Sequence, residues 1–219
     1  QRDGCRSIAY TYTEPTVFFE FAYETARLAH NKGIRNVFVT NGYMTAEALE
    51  MINPYLDAAN VDLKAFTDKY YKELCGAGLK HVQATLKSMK SLGIFVEVTT
   101  LVVPGLNDNP SELSDLAAFI VQDLGPETPW HISRFHPTYK LTDRPSTPVQ
   151  TLTMAREIGL KAGLKYVYTG NVPGNAAENT FCFSCSETVI ERRGFQVRNL
   201  RLKNGRCTKC GAEIDGVCE

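Results

Sequence analysis

Short apolar runs alternate along the chain with longer segments of helical periodicity. The apolar runs predict strands, and segments whose apolar positions recur every three or four residues predict helices. Ser111 is expected to cap the N-terminus of a helix, because a serine hydroxyl can accept from an unpaired backbone N–H there. The pattern predicts strands at 7–13, 36–40, 58–63, 94–103, 130–135 and 166–168, and helices at 16–32, 45–52, 80–92, 111–123 and 150–162.

Single apolar strands with helices between them are typical of a parallel sheet, either covered on both faces or closed into a barrel. In both arrangements the active site lies at the carboxyl ends of the strands. Polar groups follow every predicted strand, so we expect a site at this edge, although strand ends also meet loops, which are polar. The groups are Thr13–Glu14, Thr40–Asn41, Asp62–Lys64, Thr99–Thr100, Asn107–Asp108, Arg134–His136 and Asn171.

The composition changes near the end of the chain, which predicts two domains, 1–178 and 179–219. The second segment lacks helical periodicity and contains two C-x-x-C pairs. Two such pairs can complete a closed tetrahedral set of four thiolates around one zinc ion. Two β-rich stretches lie between them and break near Arg193-Gly194, as in the hairpin of a zinc ribbon. The predicted metal ligands are Cys182, Cys185, Cys207 and Cys210.

Other interpretations of the cysteines remain open at this point. Iron is an alternative to zinc, because a rubredoxin-type site uses the same four thiolates. A redox C-x-x-C would explain only one pair at a time. Cys218 is expected to be a free thiol, and Cys5 and Cys75 are expected to act as small hydrophobic residues.

Three further places carry candidate chemistry. Glu14 follows the first strand and can accept hydrogen bonds from an ammonium group, although such a residue is more often a cap or a surface charge. Asp62 and Lys64 form a carboxylate–amine pair at a strand end, and a plain salt bridge is an equal alternative. His136, in a Ser-Arg-Phe-His-Pro segment, is the best titratable candidate near neutral pH.

Charge and hydropathy argue against two classes of protein, those that bind nucleic acid and those that span a membrane. The chain of 219 residues has 24 Lys+Arg and 24 Asp+Glu, so it lacks the basic excess of most nucleic-acid-binding proteins. No apolar run approaches the roughly 18 residues that a transmembrane helix needs, and no signal peptide opens the sequence, so a cytoplasmic location is expected. These features argue against a nucleic-acid or membrane partner, and they leave a small-molecule substrate, a protein substrate and a protein partner open.

Several motifs in fixed order resemble one known family. They are Tyr10-Thr-Tyr-Thr-Glu14-Pro15-Thr16, Val39-Thr-Asn-Gly-Tyr43, Val61-Asp-Leu-Lys64, Val102-Val-Pro-Gly-Leu-Asn-Asp108, Ser133-Arg-Phe-His-Pro137, Tyr168-Thr-Gly-Asn-Val-Pro-Gly174 and Glu178-Asn-Thr-Phe-Cys182. Together they resemble the radical SAM enzymes of the AmmeMemoRadiSam type, relatives of the pyruvate formate-lyase activating enzymes. The resemblance covers nearly the whole chain and is specific through the number and order of the motifs.

The resemblance implies an α/β fold, a partial (β/α)6 TIM-like barrel with a C-terminal zinc-ribbon-like module. It implies reductive cleavage of S-adenosylmethionine to a 5′-deoxyadenosyl radical, which abstracts hydrogen from a substrate, with a [4Fe–4S] cluster as the second cofactor. It assigns Glu14 to the methionine ammonium and places His136 beside the ribose or adenine. Further cofactor-binding candidates are Thr40, Asn41, Asp62, Lys64 and Thr99.

The sequence departs from the family pattern in one major respect. The C-x3-C-x2-C motif that holds the cluster does not occur in residues 1–219. We therefore expect the cluster ligands to lie outside this chain, the first β/α unit to be missing, and the chain alone to be inactive. Val39 stands where activating enzymes often have Asp, and Thr99 where some of them have Arg. These two differences weaken the transfer of the family's full cation-binding and carboxylate-binding site to this chain.

Two other function classes are compatible with these residues. One is a zinc-ribbon interaction protein in which the α/β part is only a scaffold, since the ribbon itself is rich in arginine. The other is an α/β-barrel lyase or aldolase that uses Lys64 as a Schiff-base amine. That role requires an apolar pocket around Lys64, and the neighbouring Asp62 argues against it.

Overall fold

A computed structural model of the chain describes residues 4–194 and 196–216. The chain forms two compact units, Gln1–Thr99 and Thr100–Glu219. Six strands form one sheet in the chain order β1-β2-β3-β4-β5-β6, which confirms the α/β class with a six-stranded sheet. The domain boundary expected at 178–179 remains a prediction.

The first unit contains four parallel strands and the helices that connect them. The segment after β1 opens with a 3-10 turn at Pro15–Phe18, so the predicted helix at 16–32 becomes regular only from Phe19. A short helix running into a π-turn at Tyr71–Cys75 was not predicted. The elements are β1 (Ser7–Tyr10), α1 (Phe19–His30), β2 (Arg35–Thr40), α2 (Ala46–Ile52), β3 (Ala58–Asp62), α3 (Asp68–Tyr70), α4 (Leu79–Ser91) and β4 (Phe95–Val102).

The strands of the first unit bury one face and leave the other partly open. Phe38, Val61 and Val98 are 0% exposed and lie at alternate positions with half-buried residues, as the two-residue period of a strand requires. The pairs β1–β2, β2–β3 and β3–β4 are all parallel. The carboxyl ends of these four strands therefore meet at one edge of the sheet.

A buried asparagine joins β1, β2 and α1. Asn36 is 0% exposed and accepts at Oδ1 from the Tyr10 hydroxyl at 2.9 Å. Its Nδ2 donates to the carbonyls of Ala26 at 3.0 Å and Tyr55 at 2.9 Å. All the polar atoms of its side chain are thus satisfied, which is what allows this amide to lie in a hydrophobic core.

Asn36→Leu should destabilise the chain by about 2–4 kcal/mol, because it removes three side-chain hydrogen bonds and leaves the buried Tyr10 hydroxyl without its acceptor. Chemical denaturation, followed by circular dichroism, measures the change. Asn31→Leu, at an exposed position after α1, is the matched control and should shift the free energy of unfolding by less than about 0.5 kcal/mol. Equal effects of the two substitutions would contradict a structural role for the Asn36 network.

The second unit continues the alternation of helix and strand. Trp130 is 0% exposed, and its Nε1 donates to Thr100 Oγ1 at 3.0 Å. The expected cap at Ser111 is wrong, because Asn109 Oδ1 accepts from the Ser111 N–H at 2.8 Å and Pro110 takes the first helical position. The elements are α5 (Pro110–Phe119), β5 (Trp130–Arg134), α6 (Val149–Ala162) and β6 (Val167–Gly170), with a π-turn at Ile120–Leu124.

The C-terminal segment of the second unit is built from short antiparallel strands. One sheet has the order β7-β8-β9, and β10 pairs with β11. The predicted hairpin break near Arg193-Gly194 is confirmed, since β8 and β9 pair on either side of it. The strands are β7 (Thr180–Phe181), β8 (Thr188–Arg193), β9 (Gln196–Asn199), β10 (Leu202–Lys203) and β11 (Arg206–Cys207). We call residues 180–216 the four-cysteine module.

Within the described ranges, none of the helices combines the length and the apolar character needed to cross a membrane.

Candidate functional site

The Glu14 carboxylate joins the end of β1 to the end of β2. Its Oε1 accepts from the Thr40 hydroxyl at 2.7 Å and, more weakly, from the backbone N–H and hydroxyl of Thr16 at 3.3 and 3.2 Å. Its Oε2 accepts from the Asn41 N–H at 2.7 Å. Glu14 therefore caps the turn that follows it, which is one of the roles considered from the sequence, and it also connects two strand ends, which the sequence did not predict.

A tight turn at Asn41-Gly42 keeps these donors in place. Gly42 has a φ of +71°, and a Cβ there would lie 2.7 Å from a methyl group of Val61, so only glycine fits without displacement. The Gly42 N–H donates to Thr40 Oγ1 at 3.1 Å, and the Tyr43 N–H donates to Asn41 Oδ1 at 2.8 Å. Because Thr40 Oγ1 accepts from Gly42, its own proton is left to point at Glu14.

Asp62 and Lys64 form an ion pair where β3 ends. Lys64 Nζ lies 2.8 Å from Asp62 Oδ2, and the two side chains are 39% and 38% exposed. The backbone N–H of Lys64 donates to the hydroxyl of Tyr71 at 3.1 Å, and burial raises the pKa of this tyrosine. A Schiff-base lysine needs an apolar surrounding, so this ionic and partly solvated setting argues against the lyase or aldolase alternative.

Thr99 lies directly opposite Asp62 in the register of β3 and β4. Its hydroxyl donates to Asn60 Oδ1 at 2.7 Å, and Asn60 Nδ2 reaches Glu97 Oε2 at 3.4 Å. The sequence analysis did not select Asn60 or Glu97. Both lie two residues before a selected position, on the same side of their strands, so the alternation of β3 and β4 was the signal that could have revealed them.

The first unit thus places six of the seven predicted cofactor-binding residues along one edge of four parallel strands. They are Glu14, Thr40, Asn41, Asp62, Lys64 and Thr99. The Glu14 carboxylate has about four acceptor positions, and Oε2 receives only one hydrogen bond from the residues that the structure describes. This edge can therefore accept one further donor, such as an ammonium group, without breaking an existing hydrogen bond.

The seventh residue, His136, belongs to the second unit. It is exposed and follows β5, and its Nδ1 lies 3.2 Å from the hydroxyl of Ser146. Its predicted place beside a ribose or adenine remains a prediction. His131, five residues earlier, stacks on Tyr168 with ring centroids 5.0 Å apart, as a structural residue would.

The four cysteines predicted as metal ligands converge in the four-cysteine module. Their sulfurs all lie within 4.8 Å of one another, with 3.5 Å between Cys182 and Cys210 and 3.8 Å between Cys185 and Cys207. A tetrahedral metal with M–S bonds of about 2.3 Å separates its sulfur ligands by about 3.8 Å. The cluster therefore has the dimensions of a closed site for one tetrahedral metal ion.

The thiols of this cluster differ in their acidity. The hydrogen bond from the Ala212 N–H, and after it the hydrogen bond with Cys185, together lower the pKa of the Cys210 thiol to about 7. The Glu187 N–H lowers the pKa of Cys185, but desolvation and hydrogen bonds with the other three thiols outweigh it and raise the pKa to about 12. Ionisation of one thiol therefore keeps its neighbours protonated, because adjacent negative charges repel each other. A cation bound among the four sulfurs would remove this repulsion and allow all four to be thiolates.

The remaining cysteines do not fit the iron–sulfur cluster of the resembled family. Cys5 and Cys75 are both exposed rather than buried, which corrects the expectation that they are small hydrophobic residues. Cys218 lies outside the described residues. The four-cysteine module offers a closed ligand set, whereas a cluster that chelates a cofactor must leave one iron open. Among the described residues the converging cysteines are those four, and the expectation that the cluster ligands lie outside this chain stays a prediction.

Comparison with known proteins gives a consistent result. Residues 1–120 match the Radical SAM superfamily. An uncharacterized protein of Methanocaldococcus jannaschii is 50% identical over 218 residues, which cover 99% of this chain and 65% of that protein. The pyruvate formate-lyase-activating enzyme of Clostridium pasteurianum is 28% identical over 101 residues, 46% of this chain and 42% of that enzyme. The chain thus spans less than two thirds of either relative.

A solved structure supports the fold. The crystal structure of a domain of a pyruvate-formate lyase-activating enzyme from Bacteroides vulgatus has a TM-score of 0.65 against this chain. The alignment covers 75% of this chain and 98% of that domain at 14% sequence identity. At this identity the likeness concerns the fold alone.

Proposed function

Because the chain belongs to the radical SAM superfamily, we propose that the strand-end residues of its first unit bind S-adenosylmethionine. The observation that carries the proposal is the Glu14 carboxylate, held by Thr40 and Asn41 with one acceptor position of Oε2 still available. An ammonium group is the natural donor for that position, because a hydrogen bond between two charged groups is stronger than a neutral one.

Each residue of this edge takes a separate part in the proposed binding. Glu14 accepts from the ammonium of the methionine moiety. Lys64 faces its carboxylate, and Asp62 holds the Lys64 side chain through the 2.8 Å ion pair. Thr40 and Asn41 fix the orientation of the Glu14 carboxylate, so their contribution is one of positioning. Thr99 is assigned to the same pocket.

His136 is proposed to contact the ribose or adenine, as the family resemblance implies. S-adenosylmethionine supplies the group that removes a hydrogen atom from the substrate. For the whole protein we propose a reaction of the activating-enzyme type on a small-molecule or protein substrate. The residues of this chain contribute binding and orientation of the cofactor.

Glu14→Gln should weaken the binding of S-adenosylmethionine to the chain by about 1.5–3 kcal/mol, the range of one hydrogen bond to a charged group. Titration of ¹⁵N-labelled chain, followed by NMR, measures the affinity and also locates the site. The Asn41 amide, which donates to Glu14, should be among the resonances that shift.

Glu20→Gln is the matched control, because Glu20 is exposed on α1 and makes the same change of charge. It should leave the affinity unchanged. If Glu14 served only to connect the two strands, Glu14→Gln would lower the thermal midpoint and leave the affinity for S-adenosylmethionine equal to that of the control. That result would refute the proposed role.

For the four-cysteine module we propose one bound zinc ion with a structural role, held by the four thiolates and closed to water. Two of the four ligands, Cys182 and Cys207, are each 1% exposed and belong to the small core of the module. Iron in the same thiolate set is the alternative. In this role the metal stabilises the folded module, which is enough to explain the four cysteines. The alternative of a zinc-ribbon interaction protein is not needed to explain them.

A further inference from the structure

A cavity of about 560 Å³ lies within the second unit, between α6, β6 and the start of the four-cysteine module. Its walls include Arg156 and Leu160 of α6, Lys165, and the aromatic rings of Phe181 and Phe183. The volume falls within the range of small-molecule sites, which are mostly apolar with a few polar groups that fix orientation. Nothing in the proposed cofactor site or the metal site uses these side chains as ligands.

Arg156 is the unusual residue of this cavity. Its Nε donates to the carbonyl of Val167 at 3.1 Å, and its guanidinium carbon lies 5.8 Å from the centre of the Phe181 ring. Within 4–194 and 196–216, neither Nη atom has a hydrogen-bond or ion-pair partner. Burial lowers the pKa of Arg156, which reflects the cost of holding this charge partly out of water.

The other cation of the cavity is balanced by a carboxylate. Lys165 Nζ lies 3.0 Å from Asp215 and 4.6 Å from the centre of the Phe183 ring. The Tyr166 hydroxyl donates to the same carboxylate oxygen at 2.9 Å. Among the described lining residues none is acidic, so Arg156 has no carboxylate partner in the cavity wall; the charge of Glu157, the next residue on α6, only partly offsets the effect of burial on the Arg156 pKa.

We propose that this cavity binds a small organic anion, with the Arg156 Nη atoms donating to a carboxylate or phosphate group and the Phe181 and Phe183 rings contacting a flat aromatic body. The planar guanidinium fork matches both oxyanions, because each offers two oxygens at a spacing suited to paired N–H donors. The aromatic walls account for the body of the ligand, and Arg156, the one described lining cation without a paired carboxylate, accounts for one anionic group.

Isothermal titration of the zinc-loaded 219-residue chain tests the proposal with four probes. Phenyl phosphate and benzoate combine the anion with a flat ring, whereas phenol lacks the anion and inorganic phosphate lacks the ring. At least one of the aromatic anions should bind saturably, and at least about tenfold more tightly than phenol or inorganic phosphate. Whether phenyl phosphate or benzoate binds more tightly shows whether the cavity prefers a phosphate ester or a carboxylate.

Arg156→Gln should lower the affinity for the tighter-binding aromatic anion by about tenfold or more, since it removes the charged donor. Arg193→Gln is the matched control, because Arg193 is exposed, pairs with Glu191 and does not line the cavity. Leu160→Trp provides an independent variant, because a larger side chain at this exposed wall position fills the cavity and leaves the Arg156 charge in place. It should also weaken binding.

Zinc content and thermal midpoint check that each variant is folded, and Leu160→Trp decides the question if Arg156→Gln does not fold. The proposal is overturned if neither aromatic anion binds the parent chain saturably. It is also overturned if the folded variants bind the tighter-binding aromatic anion as tightly as Arg193→Gln does.

Discussion

Replacing Cys182 and Cys207 together by serine should abolish metal binding and unfold the four-cysteine module. Among the described residues, the core cluster of the module has four buried members, Cys182, Val189, Cys207 and Ile214, which pack with the buried Tyr166 of the preceding segment. So small a core cannot by itself offset the conformational entropy of the segment. Binding of a structural zinc ion is worth about 10–16 kcal/mol in zinc-finger peptides, more than the total stability of many domains.

Two measurements check this expectation. Metal analysis of the parent chain should give about one equivalent of zinc, and of the double variant almost none. Hydrogen exchange should show that amides of β8 (Thr188–Arg193), which pair with β7 and β9 in the parent, lose their protection in the variant. The same loss should follow when a chelator removes the metal from the parent chain.

Cys5→Ser, Cys75→Ser is the matched control, since both thiols are exposed and distant in sequence from the C-x-x-C pairs. It should retain its metal and its β8 protection. Full metal occupancy in the Cys182→Ser, Cys207→Ser variant would show that these thiols are not ligands. One equivalent of iron in place of zinc would keep the ligand set and change only the metal.

The sequence predicted the regular elements well, because their periodicity is a direct consequence of burial on one side. The strand predicted at 94–103 is observed at Phe95–Val102, and the helix predicted at 80–92 at Leu79–Ser91. The turn at Tyr71–Cys75 has no periodic pattern. Tyr71 is 3% exposed and its hydroxyl accepts from the Lys64 N–H, which are tertiary contacts that local sequence does not encode.

In the candidate site, too, the positions of the residues can be predicted from the local sequence, whereas their contacts depend on how the strands pair. That Glu14, Thr40 and Asn41 follow strands can be predicted from the chain, because apolar runs end just before them. That Thr40 and Asn41 both donate to Glu14 depends on the parallel pairing of β1 with β2 and on the Gly42 turn. Asn60 was missed for the related reason that its partner, Thr99, lies on the neighbouring strand.

For the four-cysteine module, the sequence predicts which side chains form the metal site but does not predict which metal they bind. Two C-x-x-C pairs predicted the ligands, and the sulfurs do lie within 4.8 Å of one another. Spacing alone does not distinguish zinc from iron, because both accept four thiolates in the same geometry. Which metal binds depends on the affinity of the four thiolates for each metal and on the availability of each metal. Metal analysis of the protein measures it directly.

The 219 residues on their own should form no 5′-deoxyadenosine above the enzyme-free background. Reductive cleavage of S-adenosylmethionine requires an electron, and the resembled family delivers it from a cluster held by C-x3-C-x2-C. That motif does not occur in residues 1–219, and Cys5 and Cys75 are single exposed thiols. The thiols of the four-cysteine module form a closed set. Binding of the cofactor and its cleavage are therefore expected to be separable in this chain.

Anaerobic incubation with iron and sulfide, followed by dithionite and S-adenosylmethionine, tests this with chromatographic detection of 5′-deoxyadenosine. A chain extended at its N-terminus by a segment with C-x3-C-x2-C is the positive arm, and Glu14→Gln in that extended chain should lower product formation. Multiple turnovers by the 219 residues alone would contradict the prediction. Binding of S-adenosylmethionine without cleavage would instead match it, because the role proposed for Glu14, Asp62 and Lys64 is to hold the methionine moiety, which requires no electron.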